Sequence, residues 1–114
     1  MAQVRSSVFL TTPNDEVQTD QFENSEKLTV CTANSSYELR VVCGSTGDVR
    51  VVGGRYFPQT TCATLLGASV GALLKPRTIA VGLCMELMHQ RRRIVTSPVV
   101  SIAIDYTDAS VSAA

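Results

Sequence analysis

The sequence contains no tryptophan, and aromatic residues make up only 5% of it. That thins the supply of rings on which nucleobases stack and of large side chains that anchor interfaces. It has a single histidine, His89, so a histidine-rich metal centre is excluded. No CxxC pair occurs. Cys31, Cys43, Cys62 and Cys84 stand 12, 19 and 22 residues apart, whereas structural zinc sites draw their ligands from closely spaced pairs. We therefore expect no metal and no cofactor. Cys31, Cys43 and Cys84 sit in apolar or β-branched runs, where cysteine acts as a small hydrophobe, and all four are expected as reduced thiols. No apolar run approaches the ~20 residues of a membrane span. The apolar stretch near the N-terminus, Val8-Phe9-Leu10, is far shorter than the core of a signal peptide. These absences lead to the expectation of a soluble, cytoplasmic protein with no membrane partner.

What is present is an ordinary globular composition, 45% hydrophobic, with a formal net charge of zero. The charge is unevenly placed. Residues 1–26 hold Arg5 against Asp15, Glu16, Asp20, Glu23 and Glu26, while the remainder carries nine basic and five acidic residues. This divides the chain into an acidic, flexible N-terminal arm (1–26), a folded body (27–107) and a small polar tail expected to fray (108–114). A chain of 114 residues makes one domain and buries a core without metals or disulfides.

From Lys27 onward the dominant hydrophobic period is two, the signature of half-buried strands. Tyr37, Leu39, Val41 and Cys43 fall on one face, with Glu38 and Arg40 on the other. The glycine-bearing GSTGD stretch then turns the chain into Val49 and Val51, completing a hairpin over 37–52. TIAVGLCMELMH reads as one long strand with Ile79, Val81, Leu83, Met85, Leu87 and His89 on a common face. The polar HQRRR stretch turns it back into RIVTSPVVSIAIDY, where Val100, Ile102, Ile104 and Tyr106 alternate. Pro98 lacks an N–H and marks an edge, a bulge or a break. A short strand is weakly signalled at Ser7–Thr11. Residues 61–75 read two ways. Gly67 and Gly71 favour a strand followed by a glycine loop, because each weakens a helix by about 1 kcal/mol relative to Ala. One short helix ended by Pro76 is the alternative. The fold class is therefore all-β, mainly antiparallel, a small barrel or sandwich, with room for that one short helix.

Two surface features carry binding chemistry. Arg91, Arg92 and Arg93 form the densest charge, at an expected hairpin tip near Arg77, and planar guanidiniums suit phosphate oxygens. Gly53 and Gly54 permit a close backbone approach, so that Arg55, Tyr56 and Phe57 emerge together from a strand end. Adjacent residues of an extended chain point to opposite sides. Phe57 is expected inward and Arg55 outward, and the side taken by Tyr56 stays open. The bland readings are a solvated tip and an aromatic plug. GASVGALLK fails the phosphate-loop pattern, whose lysine directly follows its second glycine. For catalysis the inventory is thin. His89 is the only base near neutrality, no serine lies in a nucleophile-elbow context, and Glu86 is more readily a structural partner of an arginine than an acid catalyst.

The order YELRVV, GSTGDVRVVGGRYFP, ATLLGASVGALLK, IAVGLCMEL and IVTSPVVSI resembles a set of short bacterial proteins of unassigned function. They share GGRxFP, a Gly/Ser-rich loop, a VGxxME strand and a terminal TSPV. The resemblance spans about residues 28–104 and omits the acidic segment. It implies a shared compact domain and no mechanism. The loop here holds fewer glycines than that pattern. Taken together, the residues point to a non-catalytic binding or interaction module that self-associates or meets another protein. The alternative is a nucleic-acid-binding small barrel using Arg55, Arg77 and Arg91 to Arg93.

Overall fold

The computed structural model describes residues 5–22 and 26–107. It is all-β and antiparallel, as the period of two requires. The strands are β1 (Arg5–Leu10), β2 (Glu16–Gln18), β3 (Lys27–Thr32), β4 (Ser36–Cys43) and β5 (Asp48–Gly53), then β6 (Phe57–Val70), β7 (Leu73–Pro76), β8 (Thr78–Ala80), β9 (Cys84–His89) and β10 (Arg92–Thr107). A 3-10 turn, Thr19–Gln21, follows β2. Ladders run from β3 through β4 and β5 to β6, from β6 to β9, and from β9 to β10, which pairs again with β3. The arrangement is barrel-like. β10 is long enough for three ladders: Arg92–Pro98 pairs with β9, Val99–Asp105 with β3, and Ile102–Thr107 with β1.

The core is built by the alternation visible in the sequence. Leu39 and Val41 of β4 face Val51 and Val49 of β5, and all four are buried while Glu38, Arg40 and Arg50 between them are exposed. Leu28, Val30, Leu65, Met85, Leu87, Ile102 and Ile104 complete the interior. The hairpin expected over 37–52 is present, and the segment 61–76 is strand rather than helix. β6 runs through Gly67, is bulged between Leu65 and Gly67, and turns at Gly71 into β7.

Three expectations are corrected. Residues 5–22 are not a free arm. β1 lies along β10, Ser7 Oγ donates to Asp105 Oδ1 at 2.6 Å, and Val17 and Phe22 are buried in the core. Lys75 Nζ reaches Glu16 Oε1 at 2.6 Å, and the Thr19 hydroxyl donates to the Gly44 carbonyl at 2.7 Å. Two buried apolar residues and these bonds outweigh an acidic average composition. Secondly, TIAVGLCMELMH is not one strand. Gly82 takes φ +96 and turns the chain, so that β8 pairs with β2 in a separate small sheet while β9 joins the barrel. Thirdly, Val100 does not share the inward face of Ile102 and Ile104. The ladder slips between Val99 and Ser101, which buries Val99 and leaves Val100 exposed. The tail expected to fray, 108–114, lies outside the described residues.

Candidate binding cleft

The turn between β5 and β6 is made by Gly53 and Gly54, at φ +136 and +60. A Cβ at Gly53 would land on the Ser36 carbonyl oxygen, and one at Gly54 would stand 2.8 Å from the Tyr37 hydroxyl. Only glycine lets the chain pass this close over Tyr37. Gly53 pairs with Phe57 across the turn, leaving Gly54, Arg55 and Tyr56 at its tip. The side chains then divide where the turn ends and β6 begins. Phe57 is fully buried and meets His89 edge to face at 6.1 Å, while Tyr56 is 54% exposed and Arg55 is exposed. The stretch is therefore both plug and lip.

Arg55 and Tyr56 form one wall of a cleft of about 430 Å³. Thr32, Asn34 and Ser35 of the β3–β4 turn and Val95, Thr96 and Ser97 of β10 form the rest, with Tyr37. The turn is held by its own side chains: the Thr32 hydroxyl accepts from the N–H groups of Asn34 and Ser35, at 3.3 and 3.1 Å. Asn34 Nδ2 donates to Ser97 Oγ at 2.7 Å and ties the turn to β10. The TSP motif explains the opposite wall. The β9–β10 register slips between Val95 and Pro98, and the Thr96 hydroxyl accepts from the Met85 N–H at 3.0 Å, in place of a ladder carbonyl. The same hydroxyl donates to the Ser97 carbonyl at 2.8 Å.

What makes the cleft chemically useful is an open sheet edge. Among the described residues, Arg92–Ser97 has β9 as its only ladder partner, since β3 ends at Thr32 opposite Val99. On that open side the cleft offers the exposed side chain of Val95, the Tyr56 ring, hydroxyl groups and the Arg55 cation, and no carboxylate among its lining residues. Val95, Thr96 and Ser97 of β10 and the residues of the β3–β4 turn were invisible as site residues in the sequence. No motif links positions 34, 55 and 95, and only the ladder order brings them together.

The structure does not gather the other candidate arginines at this site. Arg91 occupies the tip of the β9–β10 hairpin with Gln90, both in the left-handed region at φ +66 and +50. Arg92 and Arg93 are consecutive in β10 and so project to opposite faces. Arg93 is engaged: its Nε lies 3.2 Å from Glu86 Oε1, a carboxylate with 12% of its side chain exposed. That oxygen is buried and has no hydrogen-bond partner by geometry. The contact is thus an ion pair by distance with poor alignment. The expected three-arginine cluster is split, and the expected structural partner of Glu86 is Arg93. Arg77 serves the backbone, at φ +51. Its N–H donates to the Leu66 carbonyl at 2.9 Å, and its carbonyl accepts from Thr19 N–H at 2.9 Å. None of Arg77, Arg91, Arg92 and Arg93 lines the cleft.

His89 Nδ1 lies 3.1 Å from the Cys62 carbonyl, and because a carbonyl only accepts, Nδ1 carries the proton there. With its ring against Phe57, this histidine is packed as part of the barrel wall. The four cysteines are free. The Cys43 thiol is lowered from 9.0 to about 7, first by the Ser45 hydroxyl and then by Thr46. The tight GSTG turn that follows β4 places those donors. Among the described residues no three of His, Cys, Asp and Glu come together as a metal site, and no helix is long and apolar enough to cross a membrane. Comparison of the chain with protein-family models, curated proteins and solved structures finds no match.

Proposed function

We propose that the protein is a non-catalytic interaction module that self-associates by seating an extended segment of a second copy in the cleft. The observation that carries this reading is the edge of Arg92–Ser97, laddered to β9 on one side and unpaired on the other, with Val95, Thr96 and Ser97 of that edge opening into the cleft. An unpaired edge exchanges main-chain hydrogen bonds with an added strand, and the flanking side chains read alternate residues of it. Tyr56 and Val95 suit apolar residues of such a strand, and Arg55 suits a carboxylate. A second copy has segments to offer. β1 is an edge strand with Val8 41% and Phe9 70% exposed, and the β6–β7 hairpin exposes Val70, Leu73 and Leu74. A net charge of zero leaves no long-range repulsion between copies.

Light scattering across a wide concentration range tests the reading. The mass should rise above one chain with concentration, and Val95→Glu and Tyr56→Ala should hold it at one chain. Both positions are exposed, so neither change should cost more than about 0.5 kcal/mol of stability. A wild-type mass of one chain throughout, or association that ignores both variants, contradicts it. The alternative, a nucleic-acid-binding barrel with an arginine cluster, has weaker support, because Arg93 is occupied by Glu86 and Arg77 sits at a backbone junction.

A further inference from the structure

Arg40 of β4 and Arg50 of β5 are directly opposite one another in the ladder, both exposed on the outer face of the sheet. Side chains so placed have Cβ atoms about 5 Å apart, and like charges there are destabilising. Among the described residues no carboxylate lies within 4.0 Å of either guanidinium. The two arginines instead line a groove of about 360 Å³ with Lys27, Glu38, Val52 and Thr60. The one carboxylate among those lining residues is already held, since Glu38 Oε1 lies 3.5 Å from Lys27 Nζ. Lys27 is shared with Asp105 on its other side, at 3.8 Å. The acid–base pairing of this face therefore leaves two adjacent guanidiniums without a counter-charge, beside the Thr60 hydroxyl-bearing side chain.

We infer that Arg40 and Arg50 form a binding site for a phosphate dianion, free or as the terminal group of a small phosphomonoester. Each guanidinium presents a planar fork that matches two oxygens of a phosphate, and a dianion between two forks converts a repulsion into two charge-assisted contacts. The groove extends past the arginines to Val52, which leaves space for the organic part of an ester. The site is separate from the cleft beneath Arg55, with which it shares no lining residue.

Thermal unfolding in inorganic phosphate, against chloride at matched ionic strength, reads this directly. A ligand that binds only the folded chain raises Tm with concentration. The expected result is a rise that reaches roughly 5 °C once phosphate exceeds its dissociation constant tenfold and keeps growing with the logarithm of phosphate concentration. Arg40→Gln and Arg50→Gln should each weaken phosphate at least tenfold, while the charge-matched control Arg92→Gln should respond as the wild type does. In phosphate-free buffer Arg50→Gln should melt no lower than the wild type, because it relieves the repulsion. Phenyl phosphate forms the second arm. Stabilisation by both probes assigns a phosphomonoester site, and stabilisation by inorganic phosphate alone assigns a free-anion site. No rise in the wild type, or an equal rise in Arg40→Gln and Arg50→Gln, overturns the inference.

Discussion

Tyr56 and Phe57 are neighbours in sequence and opposites in structure, which makes them a sharp test of how the barrel end is built. Phe57 is fully buried and meets His89 edge to face at 6.1 Å with planes at 69°. Phe57→Ala removes a ring whose burial contributes about 3 kcal/mol. The edge-to-face contact adds about 0.5–1.5 kcal/mol. A cavity left under the β5–β6 turn raises the loss further, into the range of about 3–5 kcal/mol seen for such truncations. With roughly 4 °C or more of Tm per kcal/mol for a domain of this size, the melting point should fall by about 15 °C. Tyr56→Ala, at 54% exposure, should change stability by no more than about 0.5 kcal/mol. Urea unfolding of the two variants beside the wild type gives both numbers from midpoints at constant slope. A Phe57→Ala cost below about 1 kcal/mol, or an equal cost at Tyr56, would refute the plug-and-lip assignment.

Other outcomes follow from the same contacts. Gly67 is at φ +153 in the β6 bulge, where a Cβ would strike the Lys75 carbonyl oxygen, whereas Gly71 at φ +57 has open space around it. Gly67→Ala should cost at least about 2 kcal/mol and Gly71→Ala about 1, so denaturant midpoints ordered the other way would sink the bulge argument. A double-mutant cycle with Glu86→Gln and Arg93→Met should give a coupling below about 1 kcal/mol, because the Arg93 side chain is 60% exposed and the contact is poorly aligned. The Cys43 thiol, lowered to about 7 by Ser45 and Thr46, exists increasingly as thiolate as pH rises through 7. Its alkylation by iodoacetamide should therefore climb through pH 7 and level off well below 9, while Ser45→Ala should move the climb to higher pH. A mass-spectrometric profile still rising steeply at pH 9 in the wild type would contradict that.

The fold class was legible because one period dominates: residues 37–52 and β10 from Ile102 onward alternate so strictly that a helix has no place, whereas the slip between Val99 and Ser101 leaves no mark in that period. The inward Phe57 matches the expectation, whereas the joint exposure of Arg55 and Tyr56 comes from the turn at residues 54–56, which alternation along an extended chain does not foresee. What escaped the sequence has physical causes. The turn at Gly82 broke an alternation that runs unbroken in the letters, because one glycine at φ +96 redirects a chain without altering hydrophobic order. The N-terminal segment looked like a solvated arm because charge counts weigh every residue alike, while two buried side chains, Val17 and Phe22, and the ladder to β10 tie it down. The cleft was half legible. Arg55 and Tyr56 stood out, but Asn34, Val95 and Ser97 join them only through a ladder order that no local pattern encodes. Arg40 was visible as outward-facing, and only the register sets Arg50 beside it.

The central claim is that the open edge of Arg92–Ser97 accepts an added strand. Residue-resolved amide hydrogen exchange at low and high protein concentration tests it most directly, because an amide that gains a main-chain partner gains protection. The account predicts added protection within residues 92–97 at high concentration, lost in Val95→Glu. Unchanged exchange there, with new protection confined to β1 or β7, would contradict it and move the association to another edge.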